Sequence, residues 1–226
     1  MNMQQMLDFL AQLEQNNCRD WFLQHRSQYM QAKQCFEQLV AKLVCRLHRA
    51  DSAIPLTPAK ALTFKLMRDT RFSRDKSPYN PAFRAHIGPS GKQPIPVGYF
   101  LYLRPGGRSF LGGGLFADML KGATSMVRDH IAAHGDDWQQ IIAYPDFRRH
   151  FTVGGTALKN VPRGYDPGHP QAAYLKNKSW YIECPLTDSQ LQSGSFLDDA
   201  VEIYLKMRPF HDFLNTALAG FVMPAR

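Results

Sequence analysis

Apolar residues recur with helical spacing at the start of the chain. Met6, Leu7, Phe9, Leu10 and Leu13 predict a helix over residues 3–15 that stops at Asn16-Asn17. Asn17, with Asp20 three positions on, reads as the cap and acidic first turn of a new helix. From Phe22 the steps of three and four continue through Tyr29, Phe36, Leu39, Leu43 and Leu47 to about Ala50, predicting one long amphipathic helix. Its Trp21, Phe22, Tyr29 and Phe36 face is assigned to the core, with a partner-binding groove as the alternative.

Pro55 and Pro58 mark a connection. After it Leu62, Phe64 and Leu66 alternate with Thr63, Lys65 and Met67, which predicts a short strand with Lys65 turned away from the core. Residues 83–87, 98–104 and 179–184 read as further strands, the second being clearest because Tyr99, Phe100, Leu101 and Tyr102 favour that conformation. Pro105-Gly106-Gly107-Arg108 reads as a turn toward Ser109-Phe110-Leu111. Gly112-Gly113-Gly114 reads as a sharp turn, with a nucleotide loop as the weaker reading because no GxGxxG or GxxxxGK[ST] accompanies it. Helical spacing resumes over 115–134 and 136–144, one more turn is expected over 146–151, and an amphipathic helix interrupted at Pro209 closes the chain over 196–218. Helices first, strands in the middle and helices again describe an α+β chain: long N-terminal helices packed on a largely antiparallel sheet, with further helices in the C-terminal half.

The 226 residues are 44% hydrophobic and 12% aromatic, which suffices for one folded domain over 1–226. A formal charge of +8 favours anionic partners: nucleic acid, nucleotides, phosphorylated metabolites or acidic surfaces. Cys18, Cys35, Cys45 and Cys184 are too widely spaced for a zinc site, and Cys35 and Cys45 fall in an apolar helical stretch where free cysteine acts as a small hydrophobe. The opening residues lack a signal-peptide pattern, and no apolar run approaches membrane-spanning length, so a cytoplasmic protein without a membrane partner is expected.

The densest chemistry lies in Arg68-Asp69-Thr70-Arg71-Phe72-Ser73-Arg74-Asp75-Lys76-Ser77-Pro78-Tyr79. Arginine offers a planar fork for carboxylate or phosphate, and Asp69 and Asp75 are placed to hold cationic side chains by ion pairing. Two readings stand: a preorganised anion site, and a structural loop whose charges pair with each other. A second region, 158–180, mixes Lys159, Arg163, His169, Lys176 and Lys178 with Tyr165, Tyr174 and Trp180; such mixtures hold phosphate backbones or cover a core edge. No GxSxG, HxH, HExxH or CxxC pattern is present, nor any helix-turn-helix or zinc-finger pattern. His169 is a candidate general base or a turn histidine, and Asp69 and Asp75 fit ion pairing better than cation binding.

Asn16-Asn17 with Arg19-Asp20-Trp21-Phe22, the 68–79 block, Gly112-Gly113-Gly114, and Val161-Pro162-Arg163-Gly164-Tyr165 with His169-Pro170 together resemble the domain of unknown function 2461 family, over residues 6–218 and in the same order. The resemblance implies a single α+β domain of a mostly bacterial family without an established activity. Asn80 stands where many relatives carry Lys, and Lys65 where they often carry Arg.

These residues imply an anionic ligand held by Arg68, Arg71 and Lys76, oriented by Asp69 and Asp75, contacted by Tyr79 or Tyr165, and completed by Arg163, His169 and Lys178. The alternatives are an enzyme acting on a phosphorylated or nucleotide-like substrate, with His169 or Asp75 carrying a proton, and an interaction protein in which the block is an architectural clasp. No reaction type, cofactor or oligomeric state follows from the residues alone.

Overall fold

The structure, a computed structural model, describes residues 2–116 and 119–224. Asn2 caps α1 (Met3–Gln15) by accepting the Gln5 N–H at 3.0 Å, and Met6, Leu10 and Leu13 are completely buried along one face. Two helices follow where one long helix was expected: α2 (Arg19–Gln24) and α3 (Arg26–Ala50). The break falls at His25, whose ring Nδ1 and backbone N–H both bond the Trp21 carbonyl, at 2.8 and 3.0 Å, while its ring stacks on the Trp21 indole. A side chain that takes a share of a helix carbonyl interrupts the regular ladder. The N-cap of α2 is Cys18, without a side-chain bond, and not Asn17.

Phe36, Leu39, Val40, Leu43 and Leu47 of α3 are buried, and Phe36 stacks on Phe83 at 5.1 Å between centroids. Each such side chain contributes about 1.5–3 kcal/mol of burial. Trp21, Phe22 and Tyr29 lie at the edge of that core, each ring approaching the buried Phe9 of α1 while remaining half-exposed.

The segment expected as a strand over 62–67 starts instead as the end of a helical turn, α4 (Ala59–Leu62). Beyond it the chain is extended, but its pairing is divided: Thr63 bridges Ala85, while Met67 bridges Tyr79. With different partners at its two ends it forms no continuous ladder.

The sheet runs in order β1 (Phe83–Ile87), β2 (Tyr99–Leu103), β3 (Ser109–Leu115), β4 (Trp180–Leu186) and is antiparallel. Gly112-Gly113-Gly114 lies inside β3 and is neither a turn nor a phosphate loop. A Cβ on Gly113 would come 2.1 Å from His211 Nε2, and one on Gly114, at φ +118, would come 2.3 Å from the Trp180 carbonyl. Glycine is required there by close approach.

The remaining helices are α5 (Lys121–Ala133), α6 (Gly135–Ala143), α7 (Pro145–His150), α8 (Ala172–Leu175), α9 (Asp188–Gln192), α10 (Phe196–Lys206) and α11 (Arg208–Ala217). The helix expected from 115 begins at Lys121, and its Ala117 and Asp118 lie outside the described residues. Pro209 falls in the first turn of α11, where a missing N–H is tolerated.

Eleven helices and one four-stranded antiparallel sheet among the described residues make the α+β fold that the pattern implies. Contacts gather the chain into two compact units. The first takes everything up to Ile87 with Phe100–Leu111 and Pro185–Glu202; the second takes Gly88–Tyr99, Gly112–Cys184 and the chain from Ile203 on. The first has the core of α1, α3 and β1 just described. The second is centred on Trp138, fully buried against Tyr174, Phe210 and Phe213. Cys35 is buried as expected, whereas Cys45 is exposed. Among the described residues no helix is long and apolar enough to cross a membrane.

Candidate functional site

The charged block is the loop closed by a two-stranded neck. Arg68 N–H donates to Pro78 O at 2.9 Å and Asn80 N–H to Leu66 O at 2.8 Å, on either side of the Met67–Tyr79 bridge. The Asn17 carboxamide fastens this neck from the N-terminal helices: its Nδ2 donates to Tyr79 O at 2.8 Å, and its Oδ1 accepts the Tyr79 N–H at 3.1 Å. The Asn17 carboxamide thus bonds the Tyr79 backbone and does not cap α2.

Within the loop the cations are engaged by the loop itself. Arg68 Nη1 pairs with Asp75 and donates to Ser77 O at 3.2 Å, while Nη2 donates to Ser73 Oγ at 3.3 Å. Arg71 grips Asp69 through Nε at 3.0 Å and Nη2 at 2.6 Å, and Lys76 Nζ donates to Thr70 O at 3.0 Å. The Ser77 hydroxyl and amide, and then Arg68, hold Asp75 well below the usual carboxylate range. Arg71 lowers Asp69 in the same way and is itself raised by it. Both carboxylates are therefore charged partners of arginine, as the ion-pair reading implies.

Beside the neck opens a cleft of about 650 Å³, walled by Phe22, Leu23, Tyr29 and Met30 from α2 and α3 and by Met67, Pro78 and Tyr79 from the neck. Phe22 stacks on Tyr79 at 4.1 Å and packs against Tyr29 at 4.9 Å. Leu23, Met30 and Met67 are 51%, 52% and 70% exposed, an unusual concentration of apolar surface. Arg19, Arg26, Arg68 and Thr70 complete the lining. Arg19 and Arg26 are exposed and pair with no group among the described residues. Arg19, Phe22, Arg26 and Tyr29 follow one another at steps of three and four, a signal present in the sequence, and all four line the cleft although the helix breaks at His25.

A family model described as "Conserved hypothetical protein (DUF2461)" matches residues 5–213. The chain belongs to this family. Searches of curated proteins and of solved structures return no match.

In this DUF2461 chain the expected site residues divide between the two compact units. Arg68, Asp69, Arg71, Asp75, Lys76 and Tyr79 are together in the first; Arg163, Tyr165, His169 and Lys178 belong to the second. There the polar groups fasten their own segment to α5. Tyr165 donates to Asp129 at 2.8 Å, and its phenol is pushed up to about 12 by burial and by that carboxylate. His169 Nδ1 accepts the Gln171 N–H at 3.0 Å, which leaves the proton on Nε2, 3.2 Å from the Ala132 carbonyl. Both nitrogens are thus bound to backbone, the arrangement of a turn histidine. Arg163 is exposed and Lys178 half-exposed. Arg128, which the spacing did not single out, is buried and donates from Nε and Nη2 to Asn177 O at 3.1 and 2.7 Å. Burial lowers its pKa from the ordinary arginine value. Among the described residues no three His, Cys, Asp or Glu side chains gather as a metal site.

Proposed function

We propose that the DUF2461 chain binds an anionic ligand, phosphate- or carboxylate-bearing, whose planar or apolar body lies in the cleft and whose charge meets Arg19 and Arg26. One observation carries this reading: an apolar, aromatic-walled cleft has two arginines in its lining with no partner among the described residues. A protein surface that keeps such a cleft open beside unpaired guanidiniums has both halves of an amphipathic anion's binding requirement. The proposal shifts the anion contact from Arg71 and Lys76, which bond within their loop, to the arginines of α2 and α3.

The test is a thermal-shift and calorimetric series with inorganic phosphate, phenyl phosphate, benzoate and thymidine monophosphate, since a ligand of the folded state raises its melting temperature. Phenyl phosphate or the nucleotide is expected to bind more tightly than inorganic phosphate. The double variant Arg19→Ala/Arg26→Ala is expected to lose about tenfold or more in affinity. Equal affinity in the double variant, or no shift with any aromatic anion, would reject the cleft.

A second reading has its own support. Asn17, Phe22 and Tyr79 join the loop neck to α2, which is what an architectural clasp requires. The two readings are compatible, because a clasp that fixes Tyr79 also fixes one wall of the cleft.

A further inference from the structure

Phe72 is 96% exposed, the most exposed large hydrophobic residue among the described ones. Solitary exposed apolar residues are ordinary, but Phe72 has an unusual setting. Its loop is closed at the neck and tied internally by Arg68, Arg71 and Lys76. The ring is therefore presented on a braced support, so binding through it costs little ordering entropy. Arg71 lies beside the ring, with Cζ 5.8 Å from its centroid, and the rest of the ring is open to solvent.

We propose that the ligand of the cleft is one nucleotide of a single-stranded nucleic acid, and that the neighbouring base stacks on Phe72. The inference rests on the cleft reading above and extends it across the loop. Thr70 is a wall residue of the cleft, and Phe72 follows it by two positions, a chain reach of at most about 7 Å. That matches one step along an extended strand. Cations accompany the path: Arg26 and Arg19 line the cleft, Arg71 keeps Nη1 beyond its bonds to Asp69, and Arg74 is exposed and unpaired among the described residues. Aromatic platforms interleaved with cations suit a single strand, whose unpaired bases each offer a π face. A second copy of the chain is a poor occupant, because two surfaces of a protein with a formal charge of +8 repel. A fluid bilayer gains nothing from the bracing of the loop, whereas a base stacked at a fixed distance from the cleft does.

The experiment measures fluorescence anisotropy of a labelled twelve-nucleotide oligothymidylate, with thymidine monophosphate, the corresponding duplex and vesicles of phosphatidylcholine and phosphatidylserine as further arms. The oligonucleotide is expected to bind more tightly than the monophosphate and the duplex. Its affinity should fall with salt at a log–log slope of about −2, for roughly three phosphates contacted. Phe72→Ala should weaken the oligonucleotide about tenfold and leave the monophosphate unchanged. Arg74→Ala should reduce the salt slope by about 0.7. If the monophosphate binds but the oligonucleotide binds no better and Phe72→Ala is silent, the strand is rejected and the cleft survives. Failure of both ligands rejects the strand, and the cleft then falls only if phenyl phosphate and benzoate fail as well. Equal duplex affinity, or capture by anionic vesicles in place of the oligonucleotide, overturns the inference as well. Circular dichroism and melting of Phe72→Ala check that the exposed substitution leaves the fold intact.

Discussion

Two stretches of this chain mix cations with aromatic rings, and in the folded protein they do different things with them. In the 68–79 loop the ion pairs are local, such as Asp69 with Arg71, and the side chains of Arg71 and Asp69 stay 76% and 58% exposed. The bonds shape the loop, while its tip and the adjoining cleft remain open. In the segment around 163–178 the partners come from α5: Asp129 for Tyr165, the Ala132 carbonyl for His169, and Arg128 for the Asn177 carbonyl. Tyr165, His169 and Asn177 are thereby tied into their unit, while Arg163 stays exposed. Similar composition thus yields a presenting surface in one place and a fastening in the other. Whether a polar group's partner lies on its own loop or on another element decides which.

The sharpest test of the fastening is Arg128→Ala. It removes two charge-assisted bonds and leaves the Asn177 carbonyl without its donor, a loss of about 3 kcal/mol. For a chain of 226 residues this corresponds to roughly 6–12 °C in melting temperature. Arg128→Lys should recover little, since a single ammonium does not reproduce the guanidinium's Nε and Nη2 geometry. A variant melting within about a degree of the parent would erase the distinction between the two regions.

Asn17→Ala tests the hydrogen bonds that fasten the presenting loop from outside. Losing both bonds to the Tyr79 backbone should cost about 1–2 kcal/mol. Hydrogen exchange at the Tyr79 amide should rise selectively, because its acceptor is gone. Unchanged protection there would show that the neck bonds alone hold the loop.

How far these differences could be read from the sequence follows from the range of the contacts. The core face of α1, strands β1 and β2 and the paired helices at the C-terminus all announce themselves by local period. So does the Arg/Asp bracing of the loop, because Asp69 and Arg71 are two positions apart and Arg68 and Asp75 seven. The tie between Asn17 and Tyr79 spans 62 positions, and that between Tyr165 and Asp129 spans 36, which no local pattern encodes. Gly113 and Gly114 look like a turn until His211 and Trp180 are brought against them. Helical spacing groups Phe22 with Tyr29, and the two rings do pack together, but across the break at His25; spacing does not say what covers them, and here both wall an open cleft.

Tyr165→Phe probes the fastening through pH. The folded pKa of about 12 exceeds the ordinary tyrosine value of 10.0, so the unfolded phenol ionises first. The contribution is complete below pH 10 and is lost as pH rises toward 12. Removing the hydroxyl should cost about 1 kcal/mol at neutral pH. It should also make the denaturation midpoint fall less steeply than the parent's above pH 10. Identical slopes in parent and variant would mean that the Asp129 bond does not fasten the segment.

The smallest expected effect is the most telling about the presenting loop. Arg71 and Asp69 are both well exposed, and a solvent-screened pair contributes little to folding. Arg71→Ala should therefore leave the melting temperature within about a degree of the parent. Oligonucleotide affinity, by contrast, should drop and its salt slope should flatten by about 0.7, because one phosphate contact is lost. A marked fall in melting temperature would instead make Arg71 part of a clasp. The two regions would then share one role, fastening, and the open cleft beside Tyr79 would lose its neighbour on the proposed strand path.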